Sequence, residues 1–97
     1  MRTRYTEYVQ SCMRWYTRNP APNFKSWAQR MDWESCRDAL ADFSPTEQEI
    51  LTEVYLYGDT IPDNVYSAAK ERRIPQDIIW SMVNKLERGI AKRRGLL

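Results

Sequence analysis

The chain has 97 residues, four tryptophans, six tyrosines and no histidine, a length that fits one domain, residues 1–97, able to bury about two-thirds of its unfolded surface. Without histidine, with two cysteines and with three glycines, it lacks the usual neutral-pH acid–base group, any ordinary zinc ligand set and a glycine-rich phosphate loop, so no enzyme, metal, cofactor or small-molecule substrate is expected. The net charge of +2 is split into a basic start (+5 over residues 1–31), an acidic middle (−8 over 32–63) and a basic end (+5 over 64–97), so any contact with phosphates must be one-sided.

The first pattern is Tyr5, Tyr8, Val9, Cys12, Met13 and Tyr16, one face of an amphipathic helix. Asn19-Pro20-Ala21-Pro22-Asn23 stops it, because proline lacks a donor and disfavours helix at its predecessor. A short segment follows with Phe24, Trp27, Ala28 and Met31 in phase. The phase then shifts to Trp33, Cys36, Leu40 and Phe43, with Asp32 as the expected N-cap at the break. Cys12 and Cys36 lie on these apolar faces and read as buried thiols, with a disulfide or redox pair as the other possibility.

Ser44-Pro45-Thr46-Glu47 is the strongest local signal. Serine caps, proline suits the first helical position, and Glu47 closes a capping box. That helix presents Ile50, Leu51, Val54 and Tyr57, and Gly58 is expected to end it in a left-handed conformation. Asp59-Thr60-Ile61-Pro62 reads as a connector. A short helix with Val65, Ala68 and Ala69 runs to about Arg72, and Pro75 opens a last helix to about Arg93. No strand alternation, repeat or low-complexity tract is visible. The expected fold is all-α, a single-domain bundle of five or six helices. No apolar run approaches the roughly 18 residues of a membrane span and the first residues carry charge, so a cytoplasmic protein without membrane contact is expected.

The last two helices carry the functional signal. Ala69, Ile74 and Ile79 are spaced five apart. A helix-turn-helix needs this pattern: a small residue where the helices cross, an apolar plug in the turn, and an apolar anchor one turn into the second helix. Arg73 stands where a glycine is often preferred. Upstream, Phe43-Ser44-Pro45-Thr46-Glu47-Gln48-Glu49-Ile50-Leu51, followed by Tyr55 and Gly58, resembles the opening helix of the DNA-binding region four of sigma factors and related regulators. The resemblance covers residues 43–93. It implies a C-terminal helix-turn-helix unit within 43–97, with 1–42 as an N-terminal helical extension. It also implies transcriptional control in a bacterium, phage or mobile element, with the last helix in a major groove of double-stranded DNA.

At about 100° per residue, with Ile78 at 0°, the apolar positions Met82, Leu86, Ile79, Ile90 and Val83 span an arc to about 140°. Ile78 and Met82 are then expected at the core's edge. Asp77, Ser81, Asn84, Lys85, Arg88 and Lys92 occupy about 240–340° as a polar, net-basic face. Gln76, Ser81 and Asn84 are the candidates for base edges, since amide side chains suit adenine and a hydroxyl suits several bases. Lys85, Arg88, Lys92, Arg93 and Arg94 are the candidates for phosphates, with Lys70, Arg72 and Arg73 at the turn. A solvated helix surface is the plain alternative for this face.

Trp80, near 200°, and Trp15 both lie beside their helices' apolar stripes. With Trp27 and Trp33 they are candidates for a partner or homodimer surface, where tryptophan is enriched. The second functional reading is therefore a protein-interaction module or phage-type inhibitor, such as an anti-CRISPR protein, acting through the acidic block or exposed tryptophans. An acidic surface can imitate phosphate in a basic groove. The acidic block has a second possible use, pairing with the basic ends inside the fold.

Overall fold

The computed structural model describes residues 5–97, which form five helices: α1 (Thr6–Arg18), α2 (Trp27–Leu40), α3 (Pro45–Leu56), α4 (Ile61–Arg72) and α5 (Gln76–Arg93). Among the described residues there is no strand, and no helix is long and apolar enough to cross a membrane. The chain is thus an all-α unit at the lower of the two expected helix counts.

α1 buries Val9, Cys12 and Met13 from its stripe, while Tyr8 at the edge is exposed. Asn19 ends it by donating its side-chain amide to the Trp15 carbonyl at 2.8 Å, before the two prolines. α2 is one helix, not a short segment and a second helix broken at Asp32. Its cap is Ser26, whose hydroxyl accepts from the Gln29 amide at 3.2 Å. Asp32 lies inside α2, where its carboxylate accepts from the Tyr8 hydroxyl and from Arg94 Nε at 2.7 Å. That carboxylate serves tertiary partners, so it does not interrupt the helix. The apparent phase shift is absorbed by turning Trp27 and Ala28 to solvent and Ser35, Cys36, Ala39 and Leu40 inward.

α3 begins with the expected capping box: the Glu47 amide donates to Ser44 Oγ, and the Ser44 amide to Glu47 Oε1 at 2.9 Å. It buries Ile50, Leu51, Val54 and Tyr55, whereas Tyr57 is exposed. Gly58 is not left-handed; Tyr57 caps the helix with extended backbone. The reason lies in other helices. Arg14 Nη1 donates to the carbonyls of Tyr55 and Tyr57, its Nη2 donates to Asp59, and Arg18 reaches Leu56. Asn64 donates to the carbonyl of Val54 at 2.8 Å. Side chains satisfy the orphan carbonyls, and two guanidinium groups sit at the negative end of the helix dipole. No left-handed turn is required.

α4 starts earlier than expected. Thr60 caps it by accepting from the Asp63 amide at 3.2 Å, which draws Ile61 and Pro62 into the first turn. α5 packs against all four other helices. Buried residues from every helix join in one apolar cluster. The radius of gyration, 12.9 Å, is that of a single folded domain of this length, roughly 13 Å. Cys12 and Cys36 are both free and buried in this core. Burial pushes the Cys12 thiol up to about 11 and raises that of Cys36 further, so neither is ionised at neutral pH.

Candidate nucleic-acid interface

The connection between α4 and α5 is three residues, Arg73 to Pro75. Arg73 is left-handed (φ 56°, ψ 46°), the sole non-glycine residue of positive φ among those described. Its amide and that of Ile74 both return to the Ala69 carbonyl, the latter at 3.0 Å. The chain reverses tightly because that one carbonyl is used twice. Ala69 is buried, Ile74 packs against the core, and Ile79 is fully buried. All three residues spaced by five thus belong to the core or pack against it.

α5 divides sharply into inside and outside. Ile79, Met82, Val83, Leu86, Glu87, Ile90 and Ala91 are buried, an arc from about 40° to 220° on the wheel used above. The expected arc is therefore displaced by roughly one-sixth of a turn. Met82 is inside, at 8 % exposure, but Ile78 is outside, at 50 %. The displacement comes from Glu87 and Ala91, which a hydrophobic pattern does not count as core. Glu87 is tolerated because its Oε2 accepts from the buried Tyr55 hydroxyl at 2.6 Å and from the Gln10 amide at 3.1 Å. Burial raises the Glu87 carboxyl above its ordinary value, against the lowering effect of those two donors.

Opposite this arc stand Ser81, Asn84, Lys85, Arg88 and Lys92, all exposed, with Gln76 and Asp77 exposed at the helix start. Ser81, Asn84, Lys85 and Arg88 line one shallow hollow of about 370 Å³. Lys85 also lies over the Phe43 ring, 5.0 Å from its centre. Lys70 and Arg73 are exposed at the turn. The remaining candidates are drawn into the fold. Arg72 grips Glu53 with two hydrogen bonds of 3.0 and 2.7 Å and lies 4.0 Å from Glu49. Arg94 pairs with Asp32 with both side chains largely covered. Arg93 stays exposed, but it donates to the Gly89 carbonyl and lies 3.5 Å from Asp42. Part of the acidic middle thus neutralises part of the basic end. Among the described residues, Lys70, Arg73, Lys85, Arg88 and Lys92 have no carboxylate within ion-pair distance.

The structure does not gather the four tryptophans into one patch buried or exposed alike. Trp27 is 72 % exposed. Trp33 donates its indole N–H to the Asn19 carbonyl at 2.9 Å and packs on Tyr16 and Phe24, pinning the α1–α2 connection. Trp15 is half-buried beside Tyr8, Cys12 and Gln29. Trp80 is half-buried against the core, in a cleft of about 680 Å³ between α1, the start of α4 and α5. That cleft is larger than the hollow on α5, but a helix that enters a groove reads with its convex side and needs no cavity.

Among the described residues no three histidine, cysteine, aspartate or glutamate side chains come together as a metal site. Sequence reasoning missed the exposure of Ile78 and the burial of Glu87. Neither had a signal in the hydrophobic pattern, because Glu87 belongs to the core only through its partners on α3 and α1. The roles of Arg14 and Asn64 had no sequence signal. No family model matches the chain, and no curated protein or solved structure is significantly similar to it.

Proposed function

We propose that this chain is a small double-stranded-DNA-binding protein of helix-turn-helix type, a transcriptional regulator that presents α5 to the major groove. The observation that carries the reading is the outer face of α5. Ser81, Asn84, Lys85, Arg88 and Lys92 form a polar, basic strip diametrically opposite the buried arc, reached by a tight turn whose Lys70 and Arg73 are also exposed. Gln76, Ser81 and Asn84 supply donors and acceptors for base edges, and the cations supply phosphate contacts. Arg72 and Arg94 hold the fold and are outside this interface.

The test is fluorescence anisotropy on a labelled random-sequence duplex across a salt series. The wild type binds near 50 mM salt and weakens steeply as salt rises. Arg88→Ala with Lys92→Ala lowers affinity at low salt and reduces the log–log salt slope by about two. Absence of duplex binding by the wild type near 50 mM salt refutes the reading.

A second reading is favoured by one observation, the 72 % exposure of Trp27 at the first position of α2. It makes the chain a protein-interaction module. A partner lost by Trp27→Ala or Glu49→Lys, yet retained by the Arg88→Ala/Lys92→Ala variant, would favour it over DNA binding.

A further inference from the structure

Adjacent isoleucines at the start of α5 have opposite fates. Ile79 is fully buried and anchors the helix, while Ile78 is 50 % exposed. Every other large apolar residue of α5 is buried or, as with Trp80, packed against the core. Ile78 precedes Ser81 by one turn and Lys85 by two, so it continues the outer strip toward its N-terminal end. Helix propensity does not explain it, since a β-branched residue is a mediocre choice for an exposed helical position. Packing does not explain it either, since half of the side chain meets only water.

A helix seated in a major groove brings its N-terminal turns closest to the base edges. That floor offers many hydrogen-bonding groups and one apolar group, the C5-methyl of thymine. An exposed isoleucine there has nothing else to bury itself against. We infer that Ile78 is a specificity-determining residue that packs on a thymine methyl. The inference rests on the duplex-binding reading and sharpens it. Ile78, Ser81 and Lys85 share one side of α5, so the thymine contact lies in line with the polar strip.

The experiment begins with the tightest duplex that the wild type selects from a random 20-base-pair pool. Each thymine is then replaced singly by deoxyuridine, which removes the methyl group and leaves base pairing intact. At one thymine per bound protomer the wild type loses about fourfold in affinity, the worth of one buried methyl group. Ile78→Ala, checked for an unchanged thermal melt, binds the thymine and deoxyuridine duplexes alike. Wild-type indifference to deoxyuridine at every position overturns the inference. So does a penalty that persists in Ile78→Ala. Either result leaves duplex binding standing, whereas failure to select any duplex overturns both.

Discussion

Arg73 holds a conformation that suits glycine, and the amides around it show why it must. Both it and Ile74 donate to the Ala69 carbonyl, which demands the left-handed geometry. A side chain there costs roughly 1–2 kcal/mol, and glycine returns about 0.5–1 kcal/mol of that through the greater freedom of its unfolded chain. Arg73→Gly should therefore raise stability by about 0.5–1 kcal/mol, read from the midpoint of a urea titration. A loss would show that the guanidinium contributes a contact that outweighs the strain. Glu87 makes the opposite kind of demand. Its folded carboxyl is raised by burial, so between the ordinary and the raised value the native state holds a proton that the unfolded chain has released. Stability then falls as pH rises from the ordinary carboxyl value through the raised one. Glu87→Gln keeps an oxygen to accept from Tyr55 and removes the charge. It should be more stable than the wild type at pH 7 and lose that advantage below the ordinary carboxyl value of 4.5. Paired denaturation curves on either side of the transition check this, and a variant weaker at pH 7 would sink it.

Individual helices show how far a pattern can be read. α3 was legible from its first four residues, because a capping box is a local device whose partners are three apart. The turn before α5 was legible for the same reason. The phase of α5 was not, since Glu87 enters the core only with Tyr55 from α3 and Gln10 from α1, 32 and 77 residues distant. The end of α3 was misread at Gly58 because its caps come from Arg14, Arg18 and Asn64. α2 looked like two pieces because Asp32 resembles a cap until Arg94 is brought beside it. α5 also contains a glycine that nothing in the packing requires. A Cβ at Gly89 would lie 3.6 Å from that of Ala39, an ordinary contact, and 3.4 Å from the guanidinium end of the long Arg93 side chain. Gly89→Ala should accordingly gain most of the ~1 kcal/mol that separates the two residues in a helix. Chemical denaturation measures it, and destabilisation would mean that α2 and α5 are packed too tightly to yield.

At the scale of the whole molecule, α1 and α2 are part of the same core as the last three helices. Val9, Cys12 and Met13 of α1 and Cys36, Ala39 and Leu40 of α2 belong to the same buried cluster as the faces of α3, α4 and α5. Arg14 and Arg18 close the end of α3, Arg94 is held by Asp32, and Arg93 reaches Asp42. The N-terminal half is thus a structural partner of the last three helices, not an appendage to them. The basic end of the chain is divided likewise: Arg72, Arg93 and Arg94 bind the acidic middle, while Lys70, Arg73, Lys85, Arg88 and Lys92 stay on α5 and its turn without a carboxylate in ion-pair range among the described residues. Removing α1 and α2 would uncover the sides of α3 and α5 that pack on them and strip away Val9, Met13 and Leu40. At roughly 1.5–3 kcal/mol for each large side chain, the loss of those three alone amounts to about 5 kcal/mol or more, comparable to the whole stability of a small domain. A fragment of residues 43–97 should therefore show reduced helicity and no cooperative thermal transition by circular dichroism. A sharp, reversible melt in that fragment would show that the C-terminal unit is autonomous and that α1 and α2 serve some purpose other than completing its core.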